Sequence, residues 1–272
     1  MAKLISSSTS SMSVTGKSMP LSLPLMPARA SLVPAQWETN VRVIGMSECR
    51  EAALSLAHAF AADGLSLYLV TSDDTAGFSE EVKWRLHVDI MTYIVAAVCL
   101  NGVVATIGPD YEGVALWMPP GKSLDGFWTI LRSGLWRLHF QLSTECRRRY
   151  YAELLPLLEH SKVEVMAQRG VVDNSYYLLY LGTKPGARCR GYARKLLEHM
   201  LVKVTLLLAY FADQESRPVY LESSSIANNS YYSRFGFELK RDISLVRGPA
   251  PVGLSIMVRE PQTVPNTKLD KE

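Results

Sequence analysis

Leu179-Tyr180-Leu181-Gly182-Thr183-Lys184-Pro185-Gly186-Ala187-Arg188-Cys189-Arg190-Gly191-Tyr192-Ala193-Arg194-Lys195-Leu196-Leu197 opens as an apolar run and passes through a loop rich in glycine and arginine. It closes in a helical pattern. The run over residues 176–181 reads as a buried strand, and the segment from Arg188 to about residue 211 as a helix. Small residues at Gly191 and Ala193 let a ligand come close to the backbone. The unpaired N–H groups of a first helical turn favour an anion, and Arg188 and Arg190 add charge-assisted hydrogen bonds. By mechanism this is a pyrophosphate cradle, although neither the GxxxxGK(S/T) loop nor the GxGxxG pattern is present. Taken alone, the same residues also read as an ordinary strand-to-helix turn with solvated arginines.

Strand and helix patterns alternate on both sides of this stretch. Residues 219–222, 237–240 and 254–258 read as strands, and 228–235 as a short helix. Upstream, 41–44 alternates as a strand should, and Ser47 is placed to cap a helix running to about residue 62. Ser79 precedes Glu80 and Glu81, and Val82, Leu86, Ile90, Ile94 and Val98 follow at i, i+4 spacing. Asn101-Gly102 breaks that helix, and Val103–Ile107 and residues 114–118 read as strands joined by Gly108-Pro109-Asp110. Residues 125–131 and 136–160 read as helices. This order predicts a single α/β domain with a mixed sheet.

The chain has 272 residues, 48% of them apolar and 20% charged, enough to bury a core. Its 29 Lys+Arg face 26 Asp+Glu, and the excess sits in residues 1–35, which carry Lys3, Lys17 and Arg29 and no acid. A charge-balanced body lacks the concentrated basic face that nucleic acid requires. Cys49, Cys99, Cys146 and Cys189 are far apart, which argues against a zinc site or a disulfide scaffold and suits a reducing compartment. The apolar stretches 90–100 and 204–212 are shorter than the ~20 residues that cross a bilayer. Nine serines between Ser6 and Ser31, with Pro20, Pro24, Pro27 and Pro34, make residues 1–36 a disordered tail by composition. An organelle transit peptide is the alternative, against a cytoplasmic expectation. Residues 37–262 form the domain and 263–272 a polar tail.

Pro185-x-x-Arg188-x-x-Gly191-x-Ala193, flanked by Leu181 and Leu196-Leu197, resembles the acyl-CoA signature of the GNAT superfamily of acetyl-CoA-dependent N-acyltransferases, including its fungal-type members. A second block, Tyr220-Leu221-Glu222-Ser223-Ser224-Ser225-Ile226-Ala227-Asn228-Asn229-Ser230-Tyr231-Tyr232-Ser233-Arg234-Phe235-Gly236-Phe237-Glu238, is similar to the strand–helix–strand segment of the same family. The match is firm over residues 176–240 and weaker over 40–118; Thr183 and Cys189 depart from a usual valine and glycine.

The resemblance implies a mostly antiparallel sheet whose middle strands splay, flanked by helices. It implies acetyl-CoA as co-substrate, paired with the backbone of Leu181, Gly182 and Thr183. The pyrophosphate would rest on Arg188, Cys189, Arg190, Gly191, Tyr192, Ala193 and Arg194, with Asn228 nearby. No metal is implied. Tyr232 matches the family tyrosine that protonates the departing thiolate, with Tyr231 a competitor. Glu222, at a strand end, is the candidate base. The acceptor expected is a small-molecule amine, and the protein a monomer or homodimer. The rivals are a non-catalytic acyl-CoA sensor and a protein N-acetyltransferase. Acceptor specificity is expected in the loops 72–79 and 110–125. His87 and His139 are expected to be structural, Arg147-Arg148-Arg149 to form a solvated helix face, and Trp117 to be either a pocket wall or core. A helix from Arg188 to Asp213 would span ~39 Å, long for a crossover, so Leu201–Phe211 is either an extension or an insertion.

Overall fold

The computed structural model describes residues 34–167, 174–210 and 217–261. Most of the two expected tails therefore lies outside the described residues. A 3-10 turn at Ala35–Glu38 leads into β1 (Arg42–Ile44). There follow α1 (Cys49–Ala59), α2 (Gly64–Val70), α3 (Glu80–Asn101), β2 (Val103–Ile107) and β3 (Gly113–Met118). Next come α4 (Phe127–Ser133), α5 (Leu138–Gln141), α6 (Thr144–Arg147), a π-helical turn (Arg148–Leu154) and α7 (Leu155–Ala167). The chain continues through β4 (Tyr176–Thr183), α8 (Tyr192–Tyr210), β5 (Val219–Ser223), α9 (Asn229–Ser233), β6 (Phe237–Leu245) and β7 (Val252–Arg259).

The seven strands lie in the order β1-β2-β3-β4-β5-β7-β6. Every neighbouring pair is antiparallel except β4 with β5. That parallel pair is short: Tyr176, Tyr177 and Leu178 face Val219, Tyr220 and Leu221, and beyond Leu178 the two strands have no registered partners. At the same level β4 carries a bulge. Leu116 pairs with Tyr180 and the next residue, Trp117, with Leu178, so Leu179 is one residue extra. A bulge bends its strand and raises its twist. It also resets the alternation, so that Tyr177 and Tyr180 pack on the same core cluster.

Helices cover both faces. On one, Ala53, Leu56 and Ala57 of α1 and Ile90, Ile94 and Val98 of α3 close over β1–β3. On the other, Leu196, Leu197 and Met200 of α8 pack on Trp117, Leu178 and Leu221. Trp117 is thus a fully buried core residue, not a pocket wall. The hydroxyl of Ser79 accepts from Val82 N at 3.3 Å and starts α3 as expected, with Leu86, Ile90, Ile94 and Val98 buried and Val82 exposed. α8 continues through Leu201 to Tyr210 as a single helix of 19 residues, about 28 Å long; Phe211 lies outside the described residues.

Three expectations fail. The helix after β1 is not capped by Ser47, because Met46–Glu48 forms a 3-10 turn first. It also stops at Ala59, and Asp63 starts α2 by accepting from Leu65 N at 3.0 Å and Ser66 N at 3.2 Å. The single helix expected over 136–160 is broken into short turns at Gln141–Ser143 and at the π-helical turn. Arg149, expected in solvent, is buried: its guanidinium donates to the carbonyls of Tyr68 at 3.0 Å and Thr71 at 2.7 Å and stacks on the Tyr68 ring. The C-terminal end of α2 supplies these acceptors, and the sequence gives no sign of that neighbour. His87 is structural as expected, with Nε2 3.0 Å from Ala57 O and its pKa lowered by burial.

Gly182 fixes how close α1 approaches β4. A Cβ there would stand 2.9 Å from Leu56 Cδ2, Ala59 Cβ and Phe60 Cε2 at once. We expect Gly182→Val to destabilise by about 1–3 kcal/mol through overpacking. Thermal melting should fall by about 2–4 °C for each kcal/mol, and an unchanged Tm would show that α1 yields freely.

Candidate functional site

Two openings meet where β4 and β5 part. The first is a groove of about 740 Å3 between the end of α1 and the start of α8. Leu181, Gly182, Thr183, Arg188, Cys189, Gly191, Tyr192, Ala193, Arg194 and Asn228, the residues expected from the sequence to hold the donor, all line it. Arg190 is the exception. Its guanidinium turns to Glu112 Oε1 at 3.2 Å and to the carbonyl of Gly186, where a carboxylate already balances its charge. Arg194 lines the groove while pairing with Glu198 at 2.7 Å, and Arg188 donates to Ala59 O at 3.3 Å, tying the end of α1 to the loop.

The loop enters α8 through left-handed backbone at Cys189 (φ +63°) and Gly191 (φ +78°). For the non-glycine residue this costs roughly 1–2 kcal/mol. Such turns gather backbone N–H groups into an anion-binding concavity, here beside the free N–H groups of the first turn of α8. Tyr231 also lines the groove. Its hydroxyl is buried with no hydrogen-bond partner among the described residues, and burial pushes its pKa up to about 12. These features fit a long, partly polar ligand with a pyrophosphate and an amide-bearing arm. β4 beyond Leu178 offers backbone groups that β5 leaves unpaired.

The second opening is a cavity of about 320 Å3, walled by α2, α4, the π-helical turn and α7. Phe60, Asp63, Leu181, Ser224 and Asn228 border both spaces. Asp63 holds this junction together: one carboxylate oxygen caps α2 and the other accepts from Ser224 Oγ at 2.6 Å. The loop 110–125 contributes Leu124 and Asp125 to the cavity, as expected. The loop 72–79 contributes nothing, because Asp74 is drawn to Ser143 Oγ and Glu145 N at the start of α6.

Glu222 and Tyr232 both line this cavity, from opposite sides of the sheet. Glu222 follows Tyr220 by two residues on β5, and Tyr220 packs in the cluster with α2 and α7. Tyr232 packs with Phe237, ring centroids 5.9 Å apart, in the cluster under α8. Desolvation raises the Glu222 carboxyl to about 7. The phenols of Tyr177 and Tyr220 approach it and favour its charge, although that of Tyr220 stops short of full hydrogen-bond geometry. The Lys162 ammonium acts in the same direction and lies 5.2 Å from the Tyr177 ring centroid. Burial lifts Tyr232 above its ordinary phenol pKa, so it keeps its proton at neutral pH. Among the described residues no cluster of His, Cys, Asp and Glu could hold a metal ion.

Sequence reading missed Asp63, Lys162, Tyr150, Tyr151, Tyr177 and Tyr180 as site neighbours. Only Asp63-Gly64 carried a usable signal, an N-cap before a short apolar run. Tyr150 and Tyr151 reach the cavity together because the π-helical turn rotates the chain there, and π-bulges collect at functional sites.

No protein-family model matches the sequence. A curated Schizosaccharomyces pombe protein described as an uncharacterized N-acetyltransferase is 38% identical over 214 residues, covering 79% of this chain and 80% of its own length. The chain belongs to the GNAT superfamily of N-acetyltransferases, enzymes whose acyl donor is acetyl-CoA. It is therefore an acyltransferase. Among solved structures, mosquito arylalkylamine N-acetyltransferase-like 5b has a TM-score of 0.50 at 14% identity, covering 81% of this chain and 99% of that one. The histone acetyltransferase HPA2 and related acetyltransferase of Corynebacterium glutamicum has a TM-score of 0.47 at 17% identity, covering 83% and 98%.

A Cβ at Gly191 would meet nothing within 4 Å, so a longer side chain there enters open space at the groove. Gly191→Glu is expected to abolish CoA binding in calorimetry, because it places a negative charge at the N–H cluster. The left-handed backbone adds a stability loss of only about 1–2 kcal/mol. Undiminished affinity in the folded variant would put the pyrophosphate elsewhere.

Proposed function

We propose that this enzyme moves acetyl from acetyl-CoA to the primary amine of a small molecule, with Glu222 as base and Tyr232 as acid. The observation that carries this reading is the gap between β4 and β5. It joins a groove suited to CoA to a walled cavity, and it sets a carboxylate and a phenol on its two sides. Backbone groups of Leu181, Gly182 and Thr183 hold the pantetheine arm, and the first turn of α8 holds the pyrophosphate. Arg188, Arg194, Tyr231 and Asn228 complete the groove.

The acceptor arrives as an ammonium ion. Glu222 removes its proton, directly or through a water molecule, and frees the nitrogen lone pair. A C–N bond then forms at the thioester carbonyl, the C–S bond breaks with its electron pair on sulfur, and Tyr232 protonates the thiolate. The acylated nitrogen gives up its second proton to the resulting phenolate, directly or through solvent, which leaves a neutral amide, and the proton on Glu222 leaves to solvent. A carboxylate near 7 is half ionised at neutral pH, which suits a base that must release its proton each turnover. The phenol is a weak acid, but the thiolate it meets is desolvated too, and burial makes that thiolate a stronger base.

Tyr232→Phe removes one hydroxyl and keeps the ring on Phe237. We expect turnover to fall by about 10²–10⁴-fold with CoA affinity nearly unchanged, and full turnover would remove Tyr232 from the mechanism. The pH profile separates the two groups. Glu222 must be ionised, so kcat/KM should rise with pH through about 7. The high-pH decline expected for an ordinary phenol should move upward, because Tyr232 is shifted above its usual value. Glu222→Gln should lose the limb near 7 along with most activity. The sign for stability is opposite. The folded-state pKa is raised above the ordinary carboxyl value of 4.5, so this group's contribution weakens as pH rises from there through about 7. A limb that persists in Glu222→Gln would assign the base elsewhere.

A further inference from the structure

The cavity lining is uneven in charge. It contains Glu222, the base of the proposed transfer. Asp63 lies nearby, but its oxygens are already engaged by Leu65 N, Ser66 N and Ser224 Oγ. Most of the remaining lining is apolar, with Leu65, Leu69, Ile94, Leu154, Leu158 and Leu254 beside the rings of Tyr150, Tyr151, Tyr177 and Tyr180. Asp125 is the one further charged lining residue among those described; it is exposed and hydrogen-bonded with Ser123. An ammonium held against the leucines would lose its water and meet no free carboxylate, which is costly. The mouth is apolar as well. Trp136, Tyr151 and Leu155 line the cavity and are also 44%, 37% and 41% exposed to solvent. Phe140, 75% exposed, packs edge-on against Trp136 with ring centroids 6.2 Å apart. Apolar surface left in water at the entrance of a ligand cavity marks binding surface.

The cavity of about 320 Å3 opens to solvent beside Trp136, Tyr151 and Leu155. A long molecule with its amine at Glu222 can extend over the exposed rings of Trp136 and Phe140.

Resting on the acetyl-transfer reading above, we propose that the acceptor is a primary monoamine with an elongated apolar body, its nitrogen at Glu222 and its far end on the Trp136–Phe140 rim. A polyamine is disfavoured, because its second charge would fall on the leucine-lined stretch.

The test uses the full chain, acetyl-CoA and a ladder of butylamine, hexylamine and octylamine, with spermidine as the polycation. The expected result is a kcat/KM that climbs by about fourfold for each added methylene, mostly through KM, as each CH2 is buried. Spermidine should fall below hexylamine. Trp136→Ser should lower the octylamine-to-butylamine ratio at least threefold; Trp136 is half exposed, and CoA affinity reports whether the variant is folded. A flat or falling ladder, spermidine ahead of octylamine, or an unchanged ratio in Trp136→Ser overturns the acceptor class and leaves acetyl transfer standing. Transfer to no amine, with CoA still bound, overturns the proposed function and this inference with it.

Discussion

β4 carries one residue more than β3 can pair, and the sheet around the site follows from it. The extra residue is Leu179. Directly before it, Leu178 makes the last registered contact with β5; directly after it, β4 bends away and keeps its pairing with β3 through Thr183. A strand with one paired edge in the middle of a sheet leaves backbone donors and acceptors that must find other partners. The family's acyl donor is a ligand of that kind. The bulge also decides which side chains see the gap. By placing Tyr177 and Tyr180 on the same core cluster, it brings both rings within reach of Glu222, whose carboxyl burial lifts to about 7.

The elements around the gap each answer a cost. α1 reaches β4 because Gly182 has no side chain, and it ends at Ala59 so that the chain can turn and let Asp63 cap α2. That carboxylate also accepts from Ser224, which follows β5, so a helix cap joins the two sides of the gap. Cys189 sits in left-handed backbone, an unfavourable place for a side chain, and the return is a set of N–H groups turned toward the groove. Arg149, buried with its charge, binds the end of α2 to the π-helical turn that carries Tyr150 and Tyr151 to the cavity.

The sequence made the lining of the groove legible and left that of the cavity dark. The cradle over 181–194 is local: a strand, a loop and a helix start that are contiguous, with chemistry visible in residue types. The ion pair of Arg190 with Glu112 was not legible, because the two are 78 positions apart and no local pattern reports it. The cavity is assembled from segments between residues 60 and 254, and its shape depends on helix breaks over 136–160 that an apolar, helix-friendly composition hides. The bulge escaped for a similar reason. In the unbroken run Leu178-Leu179-Tyr180-Leu181 every register looks equally apolar, so alternation cannot mark the extra residue.

Hydrogen exchange of individual backbone amides, with and without acetyl-CoA, tests the central claim most directly. If the donor pairs with the free edge of β4 and rests on the start of α8, amides at 179–183 and 191–194 should slow on binding. Those of the β6–β7 pair, already bonded along their length, should not change. Binding that leaves residues 179–183 unprotected, or that protects another edge of the sheet, would contradict the account.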